Sequence, residues 1–510
     1  MKTRKRTLAM LLGMTMVCGS LAGCGAQKPV NSESTTPADQ QQASVSSEAA
    51  GSSESSEAPQ ETVNIKWHRT AWHTNVDEKA VEQAINEYIE PLIGVTVTVL
   101  NDAENTALDL SLAAGEDIDL FWVASWSNAW NFIDGNIAYD VTDILADYPD
   151  LYASMPENVW ESARSDGRNY YIPIYKECAN AQGLSVPTAL VEKYGWDLSA
   201  VKELKDIEPM LAQCAADGMG YPIGMNDSYY NSYGVDDYSF ITKYAGVKRD
   251  GDTAKIVNIA ESPEFEEHVR MMYSWNQAGY INQAESAIDA MGEQIVTDLR
   301  KKGDNAFYRW AMTPGSKANA SNRYGMDVEI IPLTDSYVET DSAAGSAYMI
   351  NARTEKIDAC MKFLQLLNTD EKLANLAAFG IEGKHYNLED GKVALVEESG
   401  YVYPGVWIVC NVNAPTLMVG EDDDKKEQYD QFNKEAQVSC TAGFRFNQEK
   451  VEAEAAAIEG VYTEYQPLLE KGFYDPDKYL PEFRKALKTA GIDKVIEEIQ
   501  AQYDEFLAAK

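Results

Sequence analysis

Residues 95–124, "VTVTVLNDAENTALDLSLAAGEDIDLFWVA", decide the fold. Val95, Val97 and Val99 alternate with threonines, the period-two pattern of a strand covered on one side. "NTALDLSLAAG" has helical spacing and stops at Gly115, and "DIDLFWVA" is an apolar run short enough for a buried strand. Upstream, "VNIKWHRTAW" (63–72) alternates Val63, Ile65 and Trp67. "DEKAVEQAINEYIEPLIG" (77–94) then sets Val81, Ala84, Ile85 and Tyr88 on one helical face before Pro91 and Gly94. Strand, helix, strand, helix, strand in so short a span predicts a parallel sheet with crossover helices, an α/β protein.

The alternation continues downstream. "NYYIPIYKE" (169–177) reads as a strand leaving a turn at Asp166-Gly167, and "GDNAFYRWAM" (303–312) and "MDVEIIPL" (326–333) as further strands. "TEKIDACMKFLQLLN" (354–368) and "TDEKLANLAAFG" (369–380) read as helices, with Asn368 and Glu371 as a capping box and Gly380 as the stop. In the tail, Val495, Ile496, Ile499, Tyr503 and Phe506 form one apolar helical face. No internal repeat is present.

At 510 residues and 45% hydrophobic content the chain suits two or three domains with cores. With 43 Lys plus Arg against 81 Asp plus Glu, the formal net charge of -38 argues against nucleic acid or anionic lipid headgroups as partners. The N-terminus has a basic "MKTRKR", an apolar stretch too short for an ordinary membrane span, and "LAGC" at Leu21–Cys24. It resembles a bacterial lipoprotein signal (1–23) whose Cys24 is lipidated to become the mature N-terminus. Residues 24–62, rich in Ser, Glu, Gln and Ala, cannot bury enough apolar area to offset ordering entropy and read as a disordered linker. Two of the seven cysteines, Cys18 and Cys24, lie in this leader region. Cys178, Cys214, Cys360, Cys410 and Cys440 are dispersed without CxxC pairs, so buried free thiols are expected, one disulfide remaining open.

Catalytic motifs are missing: no HExxH, GxSxG, phosphate-binding loop, GxGxxG or EF-hand series occurs, and the four histidines are sparse for a metal enzyme. No metal site and no cofactor are expected. What the chain offers is aromatic and amide side chains near strand ends, where open parallel sheets bind ligands. Trp126 and Asn128 follow "DIDLFWVA"; Tyr175, Lys176 and Glu177 follow "YYIPI"; Trp310 ends "NAFYRW"; Trp72 lies just past "VNIKW". Flat rings beside amides and carboxylates suit a sugar, the ring stacking on its C–H face and the polar groups taking its hydroxyls.

At "GIEGKHY" (380–386), "GFRFN" (443–447), "YDPDKYLPEFRKALKTAGIDKVIEEIQAQYDEFL" (474–507) and the helix pair within "AYMINARTEKIDACMKFLQLLNTDEKLANL" (347–376), the chain resembles the carbohydrate-binding lipoproteins of bacterial ABC importers. These are family 1 solute-binding proteins, here of the Gram-positive branch with its own C-terminal region. The resemblance implies a two-lobed, periplasmic-binding-protein-like fold of the maltose-binding-protein type with several hinge crossings. It implies lobe 1 from 63–180 and 304–385, and lobe 2 from 181–303 and 386–510. It also implies a non-enzymatic monomer, lipid-anchored on the outer face of the cell membrane, that captures a sugar, an oligosaccharide above all, for permease subunits and a separate ATPase. On this template "DLFWVASWSN" is a cleft loop, "IPIYKE" a polar strand end, and "FYRWAMTPG" the segment bringing Trp310 to the ligand. "WIVCN" matches a Trp-x-x-Gly-Asn pattern with Cys410 in place of the glycine, making Trp407 and Asn411 candidates.

Bland readings stand beside these. Trp122 reads as core at the end of a strand, Trp130 as helix packing and Trp275 as core, leaving Trp126 the foremost ligand candidate. Tyr229 and Tyr230 line the cleft or decorate a loop. His385 and Arg445 are explained as well by structural roles. Two other functions remain open: a surface glycosidase with two carboxylates across a cleft, and a binding lipoprotein for a peptide or another solute, or an adhesin.

Overall fold

The structure is a computed structural model describing residues 62–70, 75–102, 108–127, 129–224, 237–281 and 293–509. The chain divides into units Met1–Ala58 and Pro59–Lys510. The first, with the leader, Cys24 and most of the linker, lies outside the described residues, as do Trp72, Asn128, Tyr229 and Tyr230.

The opening stretch folds as its periodicity predicts. Val63–Thr70 and Val95–Asp102 pair in parallel, Val63 opposite Val95, and Trp67 pairs in parallel with Leu120 of Leu120–Val123. Helix Glu78–Ile93 crosses between the first two strands and buries Val81, Ile85 and Ile89. Gly94 closes it at φ 67, a left-handed position where a Cβ is costly. Two antiparallel strands, Ala347–Ile350 and Ile172–Pro173, complete a five-stranded sheet. Trp67 is fully buried beneath it, with its ring edge-on to Phe363 of helix Ile357–Thr369 at 5.1 Å.

A second, four-stranded sheet runs in the order Val328–Pro332, Gln182–Pro187, Asn305–Ala311, Tyr221–Ile223. Below it, the antiparallel meander Tyr238–Thr242, Ala245–Lys248, Ile256–Asn258 packs on three C-terminal helices, Glu452–Glu470, Pro476–Ala490 and Ile492–Ala509. Between the lobes three short strands lie side by side, Gln437–Val438, Tyr337–Val338 and Ala179–Asn180. The fold is thus the expected two-lobed α/β architecture with several crossings.

Two segments fall on the other side of the expected division. Residues 304–333, part of the 304–385 expected in lobe 1, include Asn305–Ala311, which hydrogen-bonds to Gln182–Pro187 and Tyr221–Ile223 of the second sheet. Residues 386–436, part of the 386–510 expected in lobe 2, include Tyr386, Tyr401, Ile408 and Cys410, which pack into the first core. Helix Glu371–Phe379 is capped by Asp370, whose side chain accepts from Leu373 N at 2.8 Å; Asn368 instead donates to Leu364 O inside the preceding helix. The described cysteines Cys178, Cys214, Cys360, Cys410 and Cys440 are free thiols. No described helix is long and apolar enough to cross a membrane, and no described cluster of His, Cys, Asp and Glu is arranged to hold a metal.

Candidate ligand-binding cleft

A cleft of about 850 Å³ opens between the lobes over the hinge. Its first-lobe side begins where the buried strand Leu120–Val123 ends. Trp122 is held inside by an indole hydrogen bond to Ser346 Oγ, while the chain turns through Ser125–Ser127 and lifts Trp126 into the open at 62% exposure. Trp126 is fixed there: its indole N–H donates to Gly345 O at 3.0 Å and its ring stands edge-on to Trp122 at 6.0 Å. Ser125 N and Oγ tie the same turn to Ala344 O and Asp341 O. Trp130 opens the next helix and packs edge-on against Tyr171 at 5.4 Å.

A second ring, Trp407, sits on the short turn Val406–Ile408 after Gly405. Gly405 has φ 96, and a Cβ there would lie 2.8 Å from the Trp407 indole nitrogen, so this position requires glycine. Tyr403 and Tyr429 line the cleft beside it. Burial pushes the Tyr403 hydroxyl up to about 12, so it stays protonated and accepts from Val406 N at 3.1 Å.

Lys176 and Glu177 lie at the cleft's hinge end, paired with each other at 3.2 Å. They are positioned by Asn433, fully buried on helix Lys425–Glu435, which donates to Lys176 O and accepts from Cys178 N and Ala179 N. The same helix presents Lys425, Gln428 and Tyr429 to the cleft, Lys425 being held by Glu421 at 2.5 Å. The second lobe answers with polar groups. Gln182 accepts from Arg309 Nε at 3.1 Å and donates to Asn180 at 2.7 Å, and helix Ser316–Tyr324 contributes Asn319 and Asn322 one turn apart.

Of the residues named from sequence, the cleft brings together Trp126, Lys176, Glu177 and Trp407. Three others point elsewhere. Tyr175 is buried, its hydroxyl donating to Asp430 Oδ1 at 2.9 Å. Asn411 is 4% exposed and consumed by the fold: it donates to Ser154 O and accepts from Asn413 N. Trp310 lies against Tyr324 at 5.8 Å in a small core, while its strand neighbours Arg309 and Ala311 line the cleft. Sequence reasoning missed Gln182, Arg309, Asn319, Asn322, Asp341, Tyr403 and Tyr429. Only the Asn319/Asn322 spacing carried a readable signal, two amides on one helical face.

The arrangement is rings on one lobe facing amides and a guanidinium on the other. Both lysines on this surface are engaged by neighbouring carboxylates. The nearby thiols of Cys178 and Cys410 are raised to about 11 and about 12 by burial, which keeps them protonated and unreactive.

Residues 440–508 match a family model described as a domain of unknown function, DUF3502. A carbohydrate ABC transporter substrate-binding protein of Streptococcus pneumoniae serotype 4 is 29% identical over 378 residues, which span 71% of this chain and 74% of the relative. Among solved structures, the N-glycan transport solute binding protein NgtS of Streptococcus pneumoniae superimposes with a TM-score of 0.75 at 23% identity, covering 88% of this chain and 99% of its own. Its complex with Man5GlcNAc gives 0.62 at 24% identity over 88% and 99% of the two chains. The alginate-binding protein AlgQ2 gives 0.56 at 14% identity, covering 87% and 98%. The chain has the fold of the solute-binding proteins, and its curated relative is the substrate-binding protein of a carbohydrate ABC transporter.

Proposed function

We propose that this chain is the lipid-anchored extracellular receptor of an ABC importer, and that it captures an oligosaccharide in the cleft between its lobes. The observation that carries the reading is the exposed, rigidly held indole of Trp126 above a cleft whose opposite side is built from Gln182, Arg309, Asn319 and Asn322. An exposed aromatic ring fixed by a hydrogen bond gives a sugar's apolar face a surface at little entropic cost. The amides satisfy the hydroxyls that binding desolvates.

The relatives support the same reading. NgtS, whose fold this chain shares at a TM-score of 0.75, has been solved in complex with Man5GlcNAc, and a two-lobed fold of this kind can close about a hinge around its ligand. Both relatives are binding proteins, and here two of the cleft's carboxylates, Glu177 and Glu421, are paired with lysines. The protein works as a monomer that hands its ligand to permease subunits, held at the membrane by lipid on Cys24.

Calorimetric titration with a panel of neutral and acidic oligosaccharides and peptides tests the function. Micromolar binding of an oligosaccharide, intact after incubation, is expected; peptide binding alone, or cleavage of the sugar, overturns it. For the anchor, Cys24→Ala should shed the protein into the medium; retention on the membrane refutes lipidation.

A further inference from the structure

The hinge strands lie in the order Gln437–Val438, Tyr337–Val338, Ala179–Asn180. The cleft lies over the last two: Lys176 to Gln182 flank one of them, and Asp341 follows the other. A second cavity, of about 410 Å³, is lined by Glu339, Thr340 and Asp341, which follow the middle strand, and by Thr441, which follows the outer one. Asp341 lines both cavities.

The second cavity also has a wall from each lobe. Trp130 and Asn131 come from the helix that follows the Trp126 turn, and Phe240 and Thr242 come from the meander of the second lobe. The side-chain chemistry repeats that of the first cavity: rings, an amide and a hydroxyl. The Arg445 guanidinium in this cavity is bound by the Asp134 carboxylate, so the site is not built for an anion.

We propose that this cavity is a further stretch of the same binding trough, so that the ligand is an oligosaccharide long enough to pass Asp341 and reach Trp130 and Asn131. The proposal rests on the carbohydrate reading and deepens it. The second cavity adds about half the volume of the first, so the bound chain extends by a comparable share of its length.

The test is calorimetry on the full chain with a homologous series of one oligosaccharide at increasing length, repeated with Asn131→Ala and Thr242→Val. Affinity should keep rising after the shortest binding member. Each variant should lower the ratio of long-chain to short-chain affinity about fivefold, the worth of one hydrogen bond. Asn131 is exposed on its helix, so alanine there leaves the fold intact, which an unchanged melting temperature verifies. An affinity that levels off at the shortest binding member, or variants that leave the ratio unchanged, overturns the extension while sugar binding stands. Failure of every length to bind removes the carbohydrate reading and the extension with it.

Discussion

Trp126→Ala separates the binding role of that ring from any structural one. The side chain is 62% exposed, so of the roughly 250 Å² a tryptophan can bury, about 150 Å² is available to a ligand. A sugar face that covers half of this removes about 75 Å² from water, which at about 25 cal/mol per Å² is about 2 kcal/mol, or about thirtyfold in dissociation constant. Against folding, the substitution removes one indole hydrogen bond to Gly345 O and one edge-on contact with Trp122, together about 1–2 kcal/mol. The protein should therefore stay folded, with a modestly lowered melting temperature, and lose affinity mainly through faster dissociation. Calorimetry with the tightest-binding member of the oligosaccharide panel, beside a thermal melt, reads both terms. Affinity within twofold of the wild type refutes the stacking role of Trp126.

Gly380 has φ 87 and ψ −143, and a Cβ there would collide with His385 Nδ1, which accepts from Ile381 N at 2.9 Å. Gly380→Ala should cost about 2–4 kcal/mol in chemical denaturation, and a change under 1 kcal/mol refutes the clash. His268 is buried and its imidazole lowered to about 3 by desolvation. The unfolded chain takes up that proton near pH 6.5 and the folded one does not, so the contribution is complete above pH 6.5 and is lost as pH falls toward about 3, at about 1.4 kcal/mol per unit. Between pH 7 and pH 5 the wild type should lose about 2 kcal/mol more than His268→Gln; parallel pH curves contradict this. The Arg445–Asp134 pair joins the second lobe to the first, with Arg445 also 5.6 Å from the Trp130 ring centre. Because Asp134 is nearly half exposed, Arg445→Ala should cost only about 1 kcal/mol of stability. It should raise the radius of gyration of the ligand-free protein in small-angle scattering; unchanged scattering rules out a latch.

The parallel half of the first sheet was legible because its periodicity is local: alternating valines, a helical stripe and a short apolar run each declare their own element. The lobe boundaries were not. Whether Asn305–Ala311 joins the first or the second sheet is settled by hydrogen bonds to Gln182–Pro187, more than a hundred residues earlier in the chain, which no window of sequence contains. In the site, Trp126 was readable because polar residues follow a buried strand at once. Trp310 stands one position away from Arg309 and Ala311, which face the cleft, since neighbours on an extended chain point oppositely and register cannot be read from composition. Asn411 misled differently: a polar side chain inside the fold looks the same in sequence whether its hydrogen bonds serve a ligand or the backbone.

The three short strands of the hinge have a mechanical consequence. A single linker leaves two bodies free to swivel in any direction, whereas three crossings, joined edge to edge by hydrogen bonds, make a ribbon that bends about one axis and resists torsion. The lobes then have essentially one degree of freedom. On the proposed reading, a sugar that drew them together at one end of the trough would narrow the other end by the same rotation, so the outer rims would report occupancy wherever along the trough it occurred. A permease docked on those rims would need to sense only one angle.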